Sequence, residues 1–121
     1  MAYHSTMRGR RAKGEANVRP LLAALGDPTR QEIIEQLRGG ARTVGELSAL
    51  LPVSRPAVSQ HLKVLREAGA VIETRQGARH YFALDANALD GLRGYFERMW
   101  QEALLSFATY VKEAERARKS K

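Results

Sequence analysis

Between Pro52 and Gly69 the sequence PVSRPAVSQHLKVLREAG spaces Pro56, Ser59, Gln60 and Lys63 three and four residues apart. A helix over this stretch would therefore present them on one face. A hydroxyl, a carboxamide and an ammonium group, without the Glu/Lys mixture of an ordinary solvated helix, can hydrogen-bond base edges and phosphates. Gln60 suits a bidentate contact to an adenine edge, and Lys63 suits guanine or phosphate. Arg55, at the start of the stretch, can reach either a base or the backbone. The helix itself is well signalled: Ser54 is a candidate N-cap, Pro56 falls in the first turn where a missing N–H costs nothing, and Gly69 offers a left-handed stop. Val58, Leu62 and Leu65 share the opposite, apolar face. His61 borders that face, and reads either as a packed, hydrogen-bonded residue or as a phosphate contact.

Other chemistries find few residues to carry them. There is no cysteine, hence no disulfide and no thiolate for metal or redox sensing. His4, His61 and His80 form no cluster at metal-ligand spacing, so neither a metal nor another cofactor is expected. The chain has no Gly-rich phosphate loop, no nucleophile elbow and no HExxH pair, and Ser59 and His61 fall on different faces of a helix. A non-enzymatic role is expected.

The chain has 121 residues, 44% of them hydrophobic, and a net charge of +7. One modest core follows from that size. No apolar run is long enough to span a bilayer, and MAYHSTMRGRR lacks the apolar segment of a secretory signal, so a cytoplasmic location is expected. The charge is unevenly placed: residues 1–20 and 112–121 are both net basic, the middle of the chain is neutral, and within that middle residues 54–84 carry five Lys/Arg against Glu67 and Glu73. Such gathering of positive potential suits a polyanion, although basic tails are often merely solvated.

The elements that must position these groups read in order. Residues 1–16 mix Arg, Lys, Gly and Ser without periodicity and read as a disordered basic arm. Val18, Leu21, Leu22 and Leu25 recur at helical spacing up to Gly26, which predicts a short first helix. Asp27-Pro28 reads as N-cap and first position of a second helix, with Ile33, Ile34 and Leu37 inward and a stop at Gly39-Gly40. Thr43-Val44-Gly45-Glu46 matches a capping box, and predicts a third helix with Val44, Leu47, Leu50 and Leu51 inward. Only Pro52 and Val53 separate it from the cap at Ser54. So tight a turn is either a helix-turn-helix or a plain helical hairpin.

Residues 70–84, AVIETRQGARHYFAL, favour the first choice. They predict a β-hairpin with a Gln76-Gly77 turn signal and Arg75 and Arg79 beside its tip. Val71, Phe82 and Leu84 lie on one face and Ile72 and Tyr81 on the other, and the pattern does not say which meets the core. Three helices followed by a hairpin with a basic tip make a winged helix-turn-helix, mainly α with a small β-hairpin. Thr43 and Ser54 then become candidate phosphate contacts, and Arg75 and Arg79 belong to the wing.

DPTR at 27–30, TVGEL at 43–47, SRPAVSQHLKVLREAG at 54–69 and GARHYFALD at 77–85 resemble the winged-helix core of ArsR/SmtB-type bacterial transcriptional repressors, a likeness covering roughly residues 18–110. The resemblance implies a homodimer that binds a palindromic operator in double-stranded DNA and releases it when an effector binds; the residues name no effector. Many members of that family sense metals. Here the positions matching the family's thiolate site are Thr43 and Gly45, which cannot be ligands, and no histidine follows His80 to serve the site on the last helix. The chain looks closer to the metal-independent branch.

The last stretch, about 86–115, carries Leu89, Leu92, Phe96, Met99, Ala103 and Tyr110 in one stripe, widened by Tyr95, Trp100, Leu104, Phe107 and Val111. That face is too broad for one helix lying on a small domain. A second copy is the simplest outlet, with the first helix alongside, so Leu21, Leu22, Leu92, Phe96, Met99, Trp100, Ala103, Phe107 and Tyr110 are the expected dimer contacts. The expected organisation is an arm over 1–16, a winged domain with its dimerisation helix over 17–111, and a basic tail over 116–121. The rival reading is a winged helix used for protein contact or dimerisation alone.

Overall fold

Four side-chain caps set the starts of four of the five helices in the computed structural model, which describes residues 18–120. The arm expected over 1–16 lies outside the described residues. Helix α1 (Val18–Ala24) is followed by α2 (Pro28–Leu37), α3 (Val44–Leu50), α4 (Arg55–Glu67), the strands β1 (Val71–Gln76) and β2 (Arg79–Leu84), and α5 (Ala86–Lys119). Asp27, Thr43, Ser54 and Asp85 each accept a backbone N–H of the turn that they open. At Thr43 the capping box is complete, with Glu46 N–H donating to the Thr43 hydroxyl oxygen and Thr43 N–H donating to the Glu46 carboxylate. Satisfying two orphan donors at once lets a helix of only seven residues begin at a defined place.

The apolar stripes of α1 to α4 converge on one core. Leu21, Ile33, Leu37, Leu47, Val58, Leu62, Leu65 and Val71 are all buried in it. Leu51 joins them, whereas Leu50, expected inward, is 49% exposed. The helical period ends at Leu50, and Leu51 is already extended at φ −121° and ψ 150°, so the change of backbone sends the later side chain into the core.

The hairpin pairs antiparallel with Val71 opposite Leu84 and Gln76 opposite Arg79. Its loop is therefore Gly77-Ala78, one residue later than the turn signal suggested. Gly77 takes φ +63°, which a glycine adopts without steric cost. The register settles the open question of faces: Val71 and Phe82 are buried, with Leu84 packed beside them, while Ile72 is exposed. Arg42 adds a short bridge to β2, its N–H donating to Phe82 O and Phe82 N–H donating back to Arg42 O. The wing is thereby tied next to the start of α3.

Helix α5 is 34 residues long, about 51 Å at 1.5 Å per residue. Its first turns pack Ala88 and Leu92 against the core, and no residue of the helix is buried. It continues to Lys119, so most of the basic tail expected at 116–121 is helix. No helix among the described residues is long and apolar enough to cross a membrane.

Candidate nucleic-acid interface

Arg55, Pro56, Ser59, Gln60 and Lys63 all lie on the exposed side of α4, because Val58, Leu62 and Leu65 anchor the other side in the core. A helix with one face nailed down in this way presents the opposite face at a fixed angle. Among the described residues no carboxylate is hydrogen-bonded to Lys63 or Gln60. Ser54 is exposed, and its hydroxyl oxygen accepts Ala57 N–H at 3.3 Å. Its own O–H remains a donor.

His61 is held by protein groups. Its Nδ1 is 3.4 Å from Arg30 Nη1 and 3.9 Å from Asp27 Oδ2. Arg30 also donates through Nε to Ala24 O at 2.6 Å, so these residues tie the end of α1 and the start of α2 to the back of α4. The Arg30 N–H on its carboxylate, followed by the Arg30 guanidinium and the His61 ring, holds Asp27 below the usual carboxylate range.

The wing approaches the start of α4 from the side. Arg79 and His80 of β2, Arg55 of α4, and Thr43 with residues Val44 to Glu46 of the first turn of α3 line one open cleft of about 590 Å³. Tyr81, and more weakly Glu46, hold the pKa of Arg79 above the ordinary guanidinium value. Arg75 is exposed on β1 opposite His80, outside that cleft. Behind the tip, Glu73 accepts from Arg66 of α4 and makes a 2.6 Å contact with His80 Nδ1. The His80 contact first, then Arg66, holds the Glu73 carboxyl below its ordinary range.

Sequence reasoning proposed Thr43, Arg55 and Arg79 separately, and folding brings all three to the rim of one cleft. It missed Gly45 and His80 there. Gly45 could have been found: glycine is a costly choice within a helix where φ is ordinary, and that cost asks for a reason.

A second surface lies on α5. Trp100 is 63% exposed, Phe107 64% and Tyr110 69%, and Phe96 and Met99 are nearly half exposed. Leu22 is half-buried, on α1. Leu21, named with them from sequence, is instead inside the chain's own core and has no surface to offer a partner. Among the described residues no group of three or more His, Cys, Asp or Glu could hold a metal ion.

Comparison with known proteins places this geometry in context. Residues 27–73 match the family described as "Bacterial regulatory protein, arsR family". The HTH-type transcriptional regulator Rv2034 of Mycobacterium tuberculosis is 48% identical over 88 residues, covering 73% of this chain and 82% of that protein. The transcriptional repressor SdpR of Bacillus subtilis is 35% identical over 66 residues, covering 54% and 73%. Among solved structures, an ArsR-like transcriptional regulator from Rhodococcus sp. RHA1 superposes with a TM-score of 0.71 at 30% identity, covering 78% of this chain and 89% of that one.

Proposed function

This chain belongs to the arsR family of bacterial regulatory proteins and is a DNA-binding regulator of transcription; from that membership we propose that it is a homodimeric repressor reading a palindromic operator with α4. The observation that carries the reading is the polar face of α4, which leaves Ser59, Gln60 and Lys63 exposed while the opposite face is buried. In this reading Gln60 contacts a base edge and Lys63 a guanine or phosphate. Pro56 lines the approach to the groove. Thr43 and Ser54 donate their hydroxyl protons to phosphates, and Arg75 and Arg79 lie along the backbone from the wing. The exposed apolar face of α5, with Leu22 of α1 beside it, pairs two copies through Leu92, Phe96, Met99, Trp100, Ala103, Phe107 and Tyr110. Two copies of α4 then sit about 34 Å apart, one turn of duplex.

In this reading the regulator works without a resident metal, since by the family resemblance Thr43 and Gly45 stand where thiolate ligands would be needed. In this reading the winged domain and its dimer helix act as one unit, and catalysis has no part in it. The test is binding to the DNA upstream of the protein's own gene across a salt series. Log K should fall linearly with log[salt], with a slope of several units, and affinity should be much higher for one palindromic site than for random duplex. A salt-insensitive interaction, or equal affinity for all sequences, would favour a winged helix used for protein contact.

A further inference from the structure

The Arg55 side chain does not extend outward along α4 toward the groove-facing residues. It lies back across the first turn of α3, so close that a Cβ built on Gly45 would sit 3.0 Å from Arg55 Nη2 and 3.4 Å from its Cζ. Gly45 has no positive φ, so its backbone would accept any L-residue, and alanine there would favour the helix. What the glycine supplies is space for the guanidinium. The same cleft is lined from the other side by Arg79 of the wing. Glu46 also lines it, but its carboxylate accepts the Thr43 N–H, and the two arginines leave the cleft net positive. His80 at the rim has its Nδ1 engaged by Glu73.

We propose that Arg55 and Arg79 form a two-armed clamp for a single stretch of nucleic-acid backbone, and that Gly45 is the positioning residue that lets Arg55 lie in it. This rests on the DNA-binding reading above, and decides the role of Arg55 within it. Arg55 grips phosphate and carries no base information. Two guanidinium groups from different elements facing one open cleft are suited to adjacent phosphate oxygens, which accept forked donors. A base edge, by contrast, would have to be met from the Gln60 face of α4.

The experiment is a double-mutant cycle on the full chain, with binding to operator and to random duplex measured over a salt series. Arg55→Ala should weaken both DNAs by the same factor, about tenfold, and lower the salt slope by about 1. Gly45→Ala, with its melting temperature unchanged or raised, should weaken both DNAs by less than Arg55→Ala does, about twofold to threefold, because the guanidinium tip must give by a few tenths of an ångström, and should have no further effect when Arg55 is already alanine. Arg55→Ala and Arg79→Ala should combine to less than the product of their separate losses. Independent, multiplicative losses for Gly45→Ala and Arg55→Ala would overturn the positioning role. A loss confined to the operator in Arg55→Ala would make Arg55 a base reader and overturn the clamp. Absence of any salt-dependent DNA binding by the unaltered protein would instead remove the underlying reading, an outcome separable from both.

Discussion

At the scale of single residues, the parts of this molecule governed by short-range chemistry were legible before folding. Asp27, Thr43, Ser54 and Asp85 each cap the helix that they precede, since a cap depends only on a side-chain oxygen and the next three N–H groups. The direction of Arg55 was not legible. A long cation follows the surface that tertiary packing brings beside it, and nothing in SRPAV foretells that Gly45 will lie alongside. His61 was read two ways, and Arg30 and Asp27, distant in sequence, supply the neighbours that hold it. The exposed Gln60 leads to a prediction at this scale. Gln60→Ala should cost about 1–3 kcal/mol on the preferred operator and nearly nothing on random DNA, as measured by competition binding. Equal losses on both would take Gln60 out of base readout.

At the scale of elements, helices declared themselves by period, and the hairpin only in part. With apolar residues on both faces of residues 70–84, pattern alone could not choose the inward face, because side-chain alternation says which residues go together and not which set is buried. The core made the choice by accepting Val71 and Phe82, and the Arg42 bridge fixed the sheet edge. Leu50 shows the same limit at a helix end, where the period continues on paper after the backbone has left it. The wing's attachment to α4 through Arg66, Glu73 and His80 has a pH consequence. The folded pKa of Glu73 is lowered from its ordinary 4.5, so its contribution to stability is full above that value and is lost as pH falls through the folded one. Being partly solvated, the pairs are worth at most about 1 kcal/mol each in salt. Accordingly Glu73→Gln should be less stable than the unaltered protein at neutral pH, and the gap should close in chemical denaturation curves measured progressively below pH 4.5. A gap that stays constant through that acid range would show that the carboxylate's charge is not what holds the wing.

At the scale of the whole molecule, α5 is the element that the single chain leaves unfinished. A continuous exposed apolar face of this kind marks an interaction surface, and a two-fold partner would cover the same face on both copies. Its breadth was readable from the stripe of Leu89, Leu92, Phe96, Met99 and Tyr110, but its reach was not. The helix runs past the expected end to Lys119, since the Lys, Glu, Arg and Ala residues after Val111 are all good helix formers. Met99→Glu combined with Phe107→Glu should convert a particle of about twice 13.5 kDa to a single chain in sedimentation velocity. The same change should weaken operator binding at least a hundredfold, because a lone α4 reads only one half-site. An unchanged sedimentation coefficient would place the subunit contact elsewhere.

Only Asp85 stands between the last residue of β2 and the first turn of α5, and its N–H is bonded to Ala70 O at 2.9 Å. There is no joint here to take up slack. If two copies pair through α5 as proposed, a swivel of one long rod against its twin would be handed straight to the blade at its root, with a single residue between them to absorb it.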